Sequence, residues 1–350
     1  MRIAQIAPLA ESVPPKLYGG TERIVSYLTE ELVRQGHDVT LFASGDSRTS
    51  AELHPIVDTA LRLRPDVRDP QVFAMLQLEE FRLRAAEFEV IHFHGDYLHF
   101  PLLRALGLRN AITTTHGRLD VPGYARLFEH YADVPLVSIS RDQRRPLAGA
   151  NWAGTVLHGL PMHLFRFEPE PRGGYLAFLG RISPEKRPDR AIEIARRAGM
   201  KLKIAAKVDA ADRQYFETRI APLLSQPHVE FVGEIGERDK SEFLGQASAL
   251  LFPIDWPEPF GLVMIEAMAC GTPCVAWRAG SVPEIIHEGS DGFIVESMDE
   301  AVAAVHRAAD LDRARVRAQF ERRFPVERMT RDYLDIYRRM ATSRAGRVAA

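Results

Sequence analysis

Two successive series of short apolar runs, each interleaved with amphipathic stretches, limit most strongly what this 350-residue chain can fold into. Such alternation is typical of parallel strands that are covered by helices on both faces of the sheet. A stretch rich in proline, glycine and charge at residues 159–174 separates the two series and is the best candidate for a linker. A chain of this length also exceeds what one core usually holds. The pattern therefore predicts an α/β protein with two doubly wound, Rossmann-like domains at residues 1–160 and 161–325.

Both series predict strands at regular intervals. The predicted strands of the first domain are 2–7, 38–43, 90–94, 111–115, 136–140 and 154–157, with helices at 70–86 and 124–131. The predicted strands of the second domain are 175–179, 202–206, 229–232, 249–252, 273–276 and 293–295. Thr21 is expected to cap the helix that follows the first strand. Because ligands of such sheets bind at the carboxyl ends of the strands, the two domains are expected to enclose a binding cleft.

The composition excludes some partners and leaves others open. The net charge is −2, with 45 Lys and Arg against 47 Asp and Glu, so nothing indicates a nucleic-acid partner. Net charge averages over all surfaces, and contact of a basic face with a membrane therefore stays open. No run approaches 18 apolar residues, and the first apolar run is too short for a signal peptide, so a cytoplasmic protein is expected. Cys270 and Cys274 are expected to be buried thiols, with a metal role as the weaker alternative.

The segment Pro257-Glu258-Pro259-Phe260-Gly261-Leu262-Val263-Met264-Ile265-Glu266 carries the most chemical information. It follows an apolar strand, so Gly261 is expected to open a helix whose free N–H groups suit a diphosphate. Glu258 lies in the loop before that helix and Glu266 about one turn inside it. On spacing alone, two solvated or capping carboxylates would be the better interpretation. The flanking sequences PFGLV and AMACGTP favour a ligand site instead.

These residues resemble the E-x7-E signature of the retaining GT-B glycosyltransferases of family 4. The resemblance implies that Glu266 binds the ribose hydroxyls of a nucleotide and that Glu258 contacts the transferred sugar. It also places Phe260, Gly261 and Leu262 at the donor. The last helical stretch, at about residues 326–345, is similar to the family's C-terminal helix, which crosses back onto the first domain.

The segment that begins at Gly180-Arg181 agrees with this resemblance. It is similar to the family's GR-x-x-x-x-KG segment, which implies that Arg181 and Lys186 bind the donor diphosphate. A guanidinium can engage two phosphate oxygens, while an ammonium supplies a compact charge. By itself, a solvated basic loop would explain these residues. Arg187 stands where the family usually has glycine, which puts the local turn in doubt.

Gly19 and Gly20 end the loop after the first strand. They resemble the family's glycine pair, which lets the backbone approach the donor phosphates and the acceptor, and glycine is required for such close approach. A flexible loop before a helix is the plainer explanation. Dinucleotide binding is disfavoured because no G-x-G-x-x-G follows the first strand.

His116 follows the predicted strand at 111–115. In related transferases a histidine at this place contacts the donor sugar near its primary hydroxyl, so the resemblance makes His116, with Glu258, a candidate catalytic residue. His92, His94 and His99 lie nearby, and His94 is expected to line the cleft. Zinc is the alternative for this group, but no cluster of carboxylates or cysteines accompanies it.

The resemblance implies a retaining transferase that moves a sugar from a UDP- or GDP-sugar to a hydroxyl acceptor. The acceptor would be a small molecule, a glycan or a lipid-linked compound, chosen by first-domain loops such as 44–70 and 117–131. No cofactor is expected beyond the donor substrate, and no metal, since no Asp-x-Asp motif is placed to hold one. A nucleotide-sugar epimerase of the same fold and a non-catalytic nucleotide-sugar binder remain the alternatives.

Overall fold

The computed structural model describes residues 1–348, apart from the side chains of residue 63 and of residues 341–348. The chain forms two compact units. Unit 1 contains Met1–Gly159 and the chain that follows from Val326, and unit 2 contains Leu160–Pro325. The boundary falls inside the predicted linker, beside Gly159.

Unit 1 is built on a parallel sheet of seven strands. They are β1 (Arg2–Ile6), β2 (Asp38–Ser44), β3 (Glu52–Val57), β4 (Val90–Phe93), β5 (Ala111–Thr114), β6 (Leu136–Ser138) and β7 (Trp152–Thr155). Their order is β3-β2-β1-β4-β5-β6-β7. The chain thus leaves β1 toward one edge of the sheet and then returns to the other side of β1 with β4. This reversal creates a topological switch point between β1 and β4, the place where open α/β sheets bind ligands.

Unit 2 contains a parallel sheet of six strands. They are β8 (Tyr175–Arg181), β9 (Lys201–Lys207), β10 (Val229–Gly233), β11 (Ala249–Phe252), β12 (Cys274–Trp277) and β13 (Gly292–Val295), in the order β10-β9-β8-β11-β12-β13. The reversal lies between β8 and β11. The prediction of two Rossmann-like parallel sheets is therefore confirmed.

Helices cover both sheets. Those of unit 1 are α1 (Gly20–Arg34), α2 (Gln71–Arg84), α3 (Phe100–Ala105) and α4 (Tyr124–His130). Those of unit 2 are α5 (Pro188–Ala198), α6 (Arg213–Tyr215), α7 (Glu237–Gly245), α8 (Leu262–Ala269), α9 (Val282–Ile285), α10 (Met298–Ala308) and α11 (Arg313–Arg323). Short 3-10 turns lie at Leu61–Leu63, Ala85–Glu87, Asp142–Leu147, Pro184–Lys186, Ala210–Asp212 and Ala221–Leu223, and a π-helical turn at Phe216–Ile220. None of the helices in the described part of the chain is both long and apolar enough to cross a bilayer.

The last helix, α12 (Val326–Val348), returns to unit 1. It is attached there by two tyrosines that are completely buried. The Tyr337 hydroxyl lies 2.7 Å from His92 Nδ1, and the Tyr333 hydroxyl lies 3.0 Å from Thr114 Oγ1. The rings supply apolar area while their hydroxyls satisfy buried polar groups of β4 and β5. The expected C-terminal helix on the first domain is confirmed.

Two local predictions are wrong. Residues 44–70 are not one long loop, because they contain β3. That strand has Pro55 in it and lies at the edge of the sheet, where a residue without an N–H is tolerated. Within residues 117–131, α4 confirms the helix that was predicted at 124–131. Thr21 does not cap α1, because the helix begins one residue earlier and its N-cap is Gly19.

Candidate functional site

The loop between β11 and α8 places Glu258 close to a helix N-terminus. Gly261 caps α8 with φ 78°, a left-handed conformation that favours glycine. A Cβ at this position would lie 2.7 Å from Met264 Cε and 3.0 Å from Phe252 Cζ. Glycine is therefore required here on two grounds. The helix presents its positive dipole end beside Glu258, as expected of an anion site.

Glu258 forms an ion pair with Lys186. Glu258 Oε2 accepts hydrogen bonds from Lys186 Nζ and, at 2.9 Å, from the indole N–H of Trp256. The ammonium also lies over two rings, 5.0 Å from the centroid of Trp256 and 5.7 Å from that of Phe252. Glu258 is 9% exposed, so the pair is largely desolvated. The structure thus brings together the residue predicted to contact the sugar and one predicted to bind phosphate.

The backbone of Glu258 rests against a neighbouring turn that the sequence did not reveal as part of the site. Ser281 N donates to the Glu258 carbonyl at 2.9 Å, and Ser281 Oγ donates to the Phe260 carbonyl at 2.8 Å. Gly280 lies so close that a Cβ there would be 2.3 Å from Glu258 N. The available signal was a glycine just after an apolar strand, β12.

Arg181, the last residue of β8, faces carboxylates. Its guanidinium lies 2.5 Å from Glu185 Oε1, 3.6 Å from Asp209 Oδ2 and 3.8 Å from Asp212 Oδ2. Burial raises the pKa of Asp212, with the charges of Glu185 and Asp209 adding to the shift. A diphosphate at Arg181 must therefore compete with these carboxylates. The carboxylates beside Arg181 differ from Glu258, the carboxylate that pairs with Lys186.

Arg187 adopts the backbone conformation that the family's glycine would favour. Its φ is 54°, and within residues 1–348 it is the only residue other than glycine with a positive φ. Ion pairs to Asp189 and Asp255, each at 2.9 Å, hold its side chain. The doubt raised by the sequence is resolved, because the turn forms with arginine in the strained position.

Glu266 lies in α8 and pairs with a residue that sequence reasoning missed. Lys240 Nζ of α7 donates to Glu266 Oε1 at 2.8 Å, and Glu266 is only 2% exposed. No local motif distinguishes Lys240 from the other polar residues of its helix. Phe260 is 2% exposed and its ring lies 6.4 Å from that of Phe324, so its side chain is buried, and its predicted contact with the donor stays a prediction. Leu262 is half-buried at the start of α8.

In unit 1, packing within the loop itself explains why residue 19 is a glycine. A Cβ on Gly19 would lie 2.8 Å from Pro15 Cβ and 3.2 Å from Glu11 Cγ. Gly19 therefore makes room for its own loop, whether or not a ligand approaches. Gly20 is exposed at the first position of α1. Their predicted contact with the donor stays a prediction.

His116 is half-buried and stands at the end of a hydrogen-bonded chain of buried side chains. Its Nε2 lies 3.0 Å from His94 Nδ1, and His94 Nε2 lies 2.6 Å from Gln5 Oε1. Gln5 Nε2 donates to the Tyr337 hydroxyl at 3.2 Å. His94 is only 3% exposed, and its place at a ligand cleft stays a prediction. It supports His116 from behind.

Burial keeps these histidines neutral. Desolvation lowers the pKa of His116 to about 3 and holds the pKa of His94 well below its usual range. The ring of His116 also stacks on that of His158, with centroids 5.5 Å apart and an angle of 16° between the planes. A neutral imidazole offers one donor and one acceptor, which suits contact with a sugar hydroxyl.

Among the described residues, no group of three or more His, Cys, Asp or Glu is arranged to hold a metal ion. Asp310-Leu311-Asp312 is an Asp-x-Asp sequence, but its role is local. Its Asp312 Oδ1 accepts from Ala314 N at 2.9 Å and so caps α11. Cys270 and Cys274 are free, buried thiols, as predicted.

Comparisons with known proteins agree with this architecture. Residues 165–322 match the family described as "Glycosyl transferases group 1", and residues 18–156 match "Glycosyltransferase Family 4". The chain is 27% identical to a glycogen synthase of Mycobacterium tuberculosis, with 91% of this chain and 89% of the relative covered. It is 39% identical over 103 residues to N-acetyl-alpha-D-glucosaminyl L-malate synthase of Bacillus anthracis, over 28% of this chain but only 27% of that relative's length.

Solved structures show the same fold. A glycosyltransferase involved in avilamycin A biosynthesis superposes with a TM-score of 0.73 at 25% identity, and 98% of each chain is covered. Anabaena HepE in complex with UDP and glucose gives a TM-score of 0.72 at 17% identity, covering 96% of this chain and 98% of that one. Two Rossmann-like units with these matches define an enzyme of the GT-B glycosyltransferase class. The chain belongs to the glycosyltransferase group 1 and family 4 proteins.

Proposed function

We propose that this glycosyltransferase uses a nucleotide-diphosphate sugar as donor and transfers the sugar to a hydroxyl acceptor with retention at the anomeric carbon. The observation that carries the proposal is the Lys186–Glu258 ion pair beside the N-terminus of α8. A cation, a helix dipole and a carboxylate meet there in a desolvated loop. The first two suit a diphosphate, and the third suits the positive charge that develops on a sugar ring.

The family resemblance supplies the remaining roles as proposals. Arg181 and Lys186 bind the diphosphate, Phe260, Gly261 and Leu262 contact the donor, and Glu266 binds the ribose. In unit 1, His116 and the Gly19-Gly20 pair are proposed donor contacts. Lys240 belongs to the same set, because its ammonium group donates a hydrogen bond to the Glu266 carboxylate and so orients it.

Uridine or guanosine is the proposed base. Anabaena HepE, which has the same fold, binds UDP in its complex with UDP and glucose, and this favours uridine. At 17% identity, the likeness itself is one of fold. We propose that no metal ion takes part, because Lys186 and α8 already offer positive charge to the leaving diphosphate. Unchanged transfer in EDTA would support this, whereas transfer restored only by Mg²⁺ or Mn²⁺ would overturn it.

The decisive test begins with binding. UDP and GDP are titrated by calorimetry into the wild type, Glu266→Ala and Arg181→Ala, with Glu230→Ala, an exposed residue of β10, as control. Loss of one charge-assisted contact should weaken the nucleotide about ten- to a hundredfold. Unchanged affinity in both variants would refute the assignment. Conversion of donor without any acceptor would indicate an epimerase, and binding without turnover on any acceptor would indicate a non-catalytic binder.

A further inference from the structure

A cavity lies wholly within unit 1, at the switch point of its sheet. Its volume is about 580 Å³, within the size range of small-molecule sites. One wall is formed by residues 6–10, which begin at the last residue of β1, and another by Phe93, the last residue of β4, and residues 95–99 after it. Helix α2 closes a third side. The cavity thus occupies the position where the topology of the sheet leads a ligand to bind.

The lining of this cavity is mostly apolar and already formed. Leu9, Leu61 and Phe93 are 6%, 7% and 1% exposed, so packing fixes their side chains. Ala74 and Leu78 present the inner face of α2 to the same space. Such walls exclude water from whatever enters, which favours apolar groups.

The mouth of the cavity leaves apolar surface uncovered. Leu98 belongs to the lining and is 48% exposed. An exposed leucine alone would be unremarkable. Here it continues the apolar wall outward, so a bound molecule longer than the cavity would still lie against an apolar side chain.

The charged groups of the lining do not favour an anion. Arg62 Nη1 lies 3.0 Å from Glu11 Oε1, and Arg64 Nη2 lies 2.5 Å from Asp66 Oδ2, so both guanidinium charges are compensated by carboxylates. Asp96 adds a carboxylate at the exposed rim. A phosphate or carboxylate would meet paired cations and an additional negative charge, whereas a hydroxyl can donate to Asp96.

We propose that this cavity binds the apolar, uncharged body of the acceptor, an alcohol with an alkyl or aryl group, while Asp96 accepts a hydrogen bond from the acceptor hydroxyl. This inference rests on the proposed function, because it names the class of acceptor that receives the sugar. It excludes acceptors that are charged in the part bound here, such as sugar phosphates.

The test uses simple alcohols as probes. Binding of 1-hexanol, 1-heptanol, 1-octanol and octyl phosphate to the full chain is measured by ligand-observed NMR. Each methylene transferred into an apolar site should tighten binding about fourfold. Octanol should also bind at least tenfold more tightly than octyl phosphate. Affinity independent of chain length, or tighter binding of the phosphate, would overturn the proposal.

A matched pair of variants on α2 locates the site. Ala74→Trp fills the cavity from its inner wall and should weaken octanol binding at least tenfold. Met75→Trp introduces the same side chain at the next residue, which is 63% exposed and outside the lining, and should leave binding unchanged. Asp96→Asn should reduce the preference for octanol over octyl phosphate. Equal effects of the two tryptophans would place the alcohol elsewhere.

Nucleotide binding separates this inference from the proposed function. Ala74→Trp should bind UDP or GDP as the wild type does, because the cavity contains none of the proposed donor residues. If no nucleotide binds but octanol shows the chain-length dependence, the proposed function fails and the apolar cavity site stands. If nucleotides bind and the alcohols do not, only the acceptor inference fails.

Discussion

His94 Nδ1 lies 3.0 Å from His116 Nε2, and this contact determines which nitrogen of His116 carries its proton. The carbonyl oxygen of Gln5 can only accept, so His94 is protonated on Nε2, 2.6 Å away. His94 Nδ1 must then accept, and His116 donates from Nε2. The remaining nitrogen of His116, Nδ1, is left as an acceptor for a ligand hydroxyl.

Gln5→Glu should move the proton of His116 from Nε2 to Nδ1. A carboxylate beside His94 stabilises its doubly protonated form, which donates from both nitrogens and forces Nε2 of His116 to accept. Losing the acceptor for one hydroxyl should lower kcat/KM about tenfold. Ring ¹⁵N shifts check the tautomer directly. An unchanged His116 tautomer with normal turnover would contradict the argument, and Gln5→Met controls for loss of the hydrogen bond alone.

Glu258→Gln should separate binding from turnover. The substitution removes the negative charge that is paired with Lys186, so nucleotide diphosphate should bind at least as tightly as before. Turnover should fall much more, about a hundredfold, if the carboxylate acts mainly in the transition state. Calorimetry and initial rates measure the two effects. Lys186→Ala should show the opposite pattern, with weaker binding first.

The stereochemistry of transfer is measured on the same reaction. An α-linked donor should give an α-linked product, which the anomeric proton coupling reveals in the first minutes. A β-linked initial product would exclude retention.

Gly280→Ala should be more damaging than Gly289→Ala. Both glycines have positive φ, 53° and 70°, so alanine strains each backbone by about 1 kcal/mol. At Gly289 no atom lies within 4 Å of the new Cβ, whereas at Gly280 it would be 2.3 Å from Glu258 N. Only Gly280→Ala should therefore displace the Glu258 loop and reduce turnover. Chemical denaturation and initial rates of both variants check this, and equal losses of activity would contradict it.

Much of this fold could be predicted from the sequence, because parallel strands buried on both faces are continuous apolar runs. Every predicted strand is present within a few residues, and β3 was missed because ELHPIV is polar and contains proline. The site was harder to predict. The Lys186–Glu258 pair joins residues 72 positions apart, and Lys240 and Gly280 matter only through the elements packed against them.

Substitutions of Arg187 test whether the positive φ of this residue strains the backbone. Replacing it with either glycine or alanine removes the same ion pairs to Asp189 and Asp255. Glycine relieves the positive φ and alanine does not, so Arg187→Gly should be more stable than Arg187→Ala by about 1 kcal/mol. Urea denaturation of the two variants measures the difference. Equal stability would mean that the turn relaxes in one of them.

Acid should destabilise unit 1 before unit 2. Unit 1 contains His99 and His116, whose burial lowers each pKa to about 3, and three more buried histidines whose pKa values are also lowered: His92, His94 and His158. The unfolded chain binds these protons near pH 6.5 and the folded unit does not, so stability is lost as the pH falls below 6.5. Between pH 6.5 and 5, His99 and His116 alone should remove about 3 kcal/mol.

Unit 2 contains Asp291, whose effect on stability in acid is opposite to that of the histidines. Burial raises the pKa of Asp291 to about 6, so the folded unit takes up this proton more readily than the unfolded chain does. Its contribution to stability therefore grows as the pH falls through 6 and partly offsets other losses, by about 1 kcal/mol at pH 5.

Hydrogen exchange followed by mass spectrometry at pH 7 and 5, corrected for intrinsic rates, compares the acid stability of the two units. Peptides from β1, β4 and β5 should lose protection while those from β8 and β11 keep it. His99→Gln, which can preserve the 2.7 Å hydrogen bond to Thr113, should reduce the loss. Equal loss in both units, or earlier loss in unit 2, would show that the buried histidines do not control acid stability.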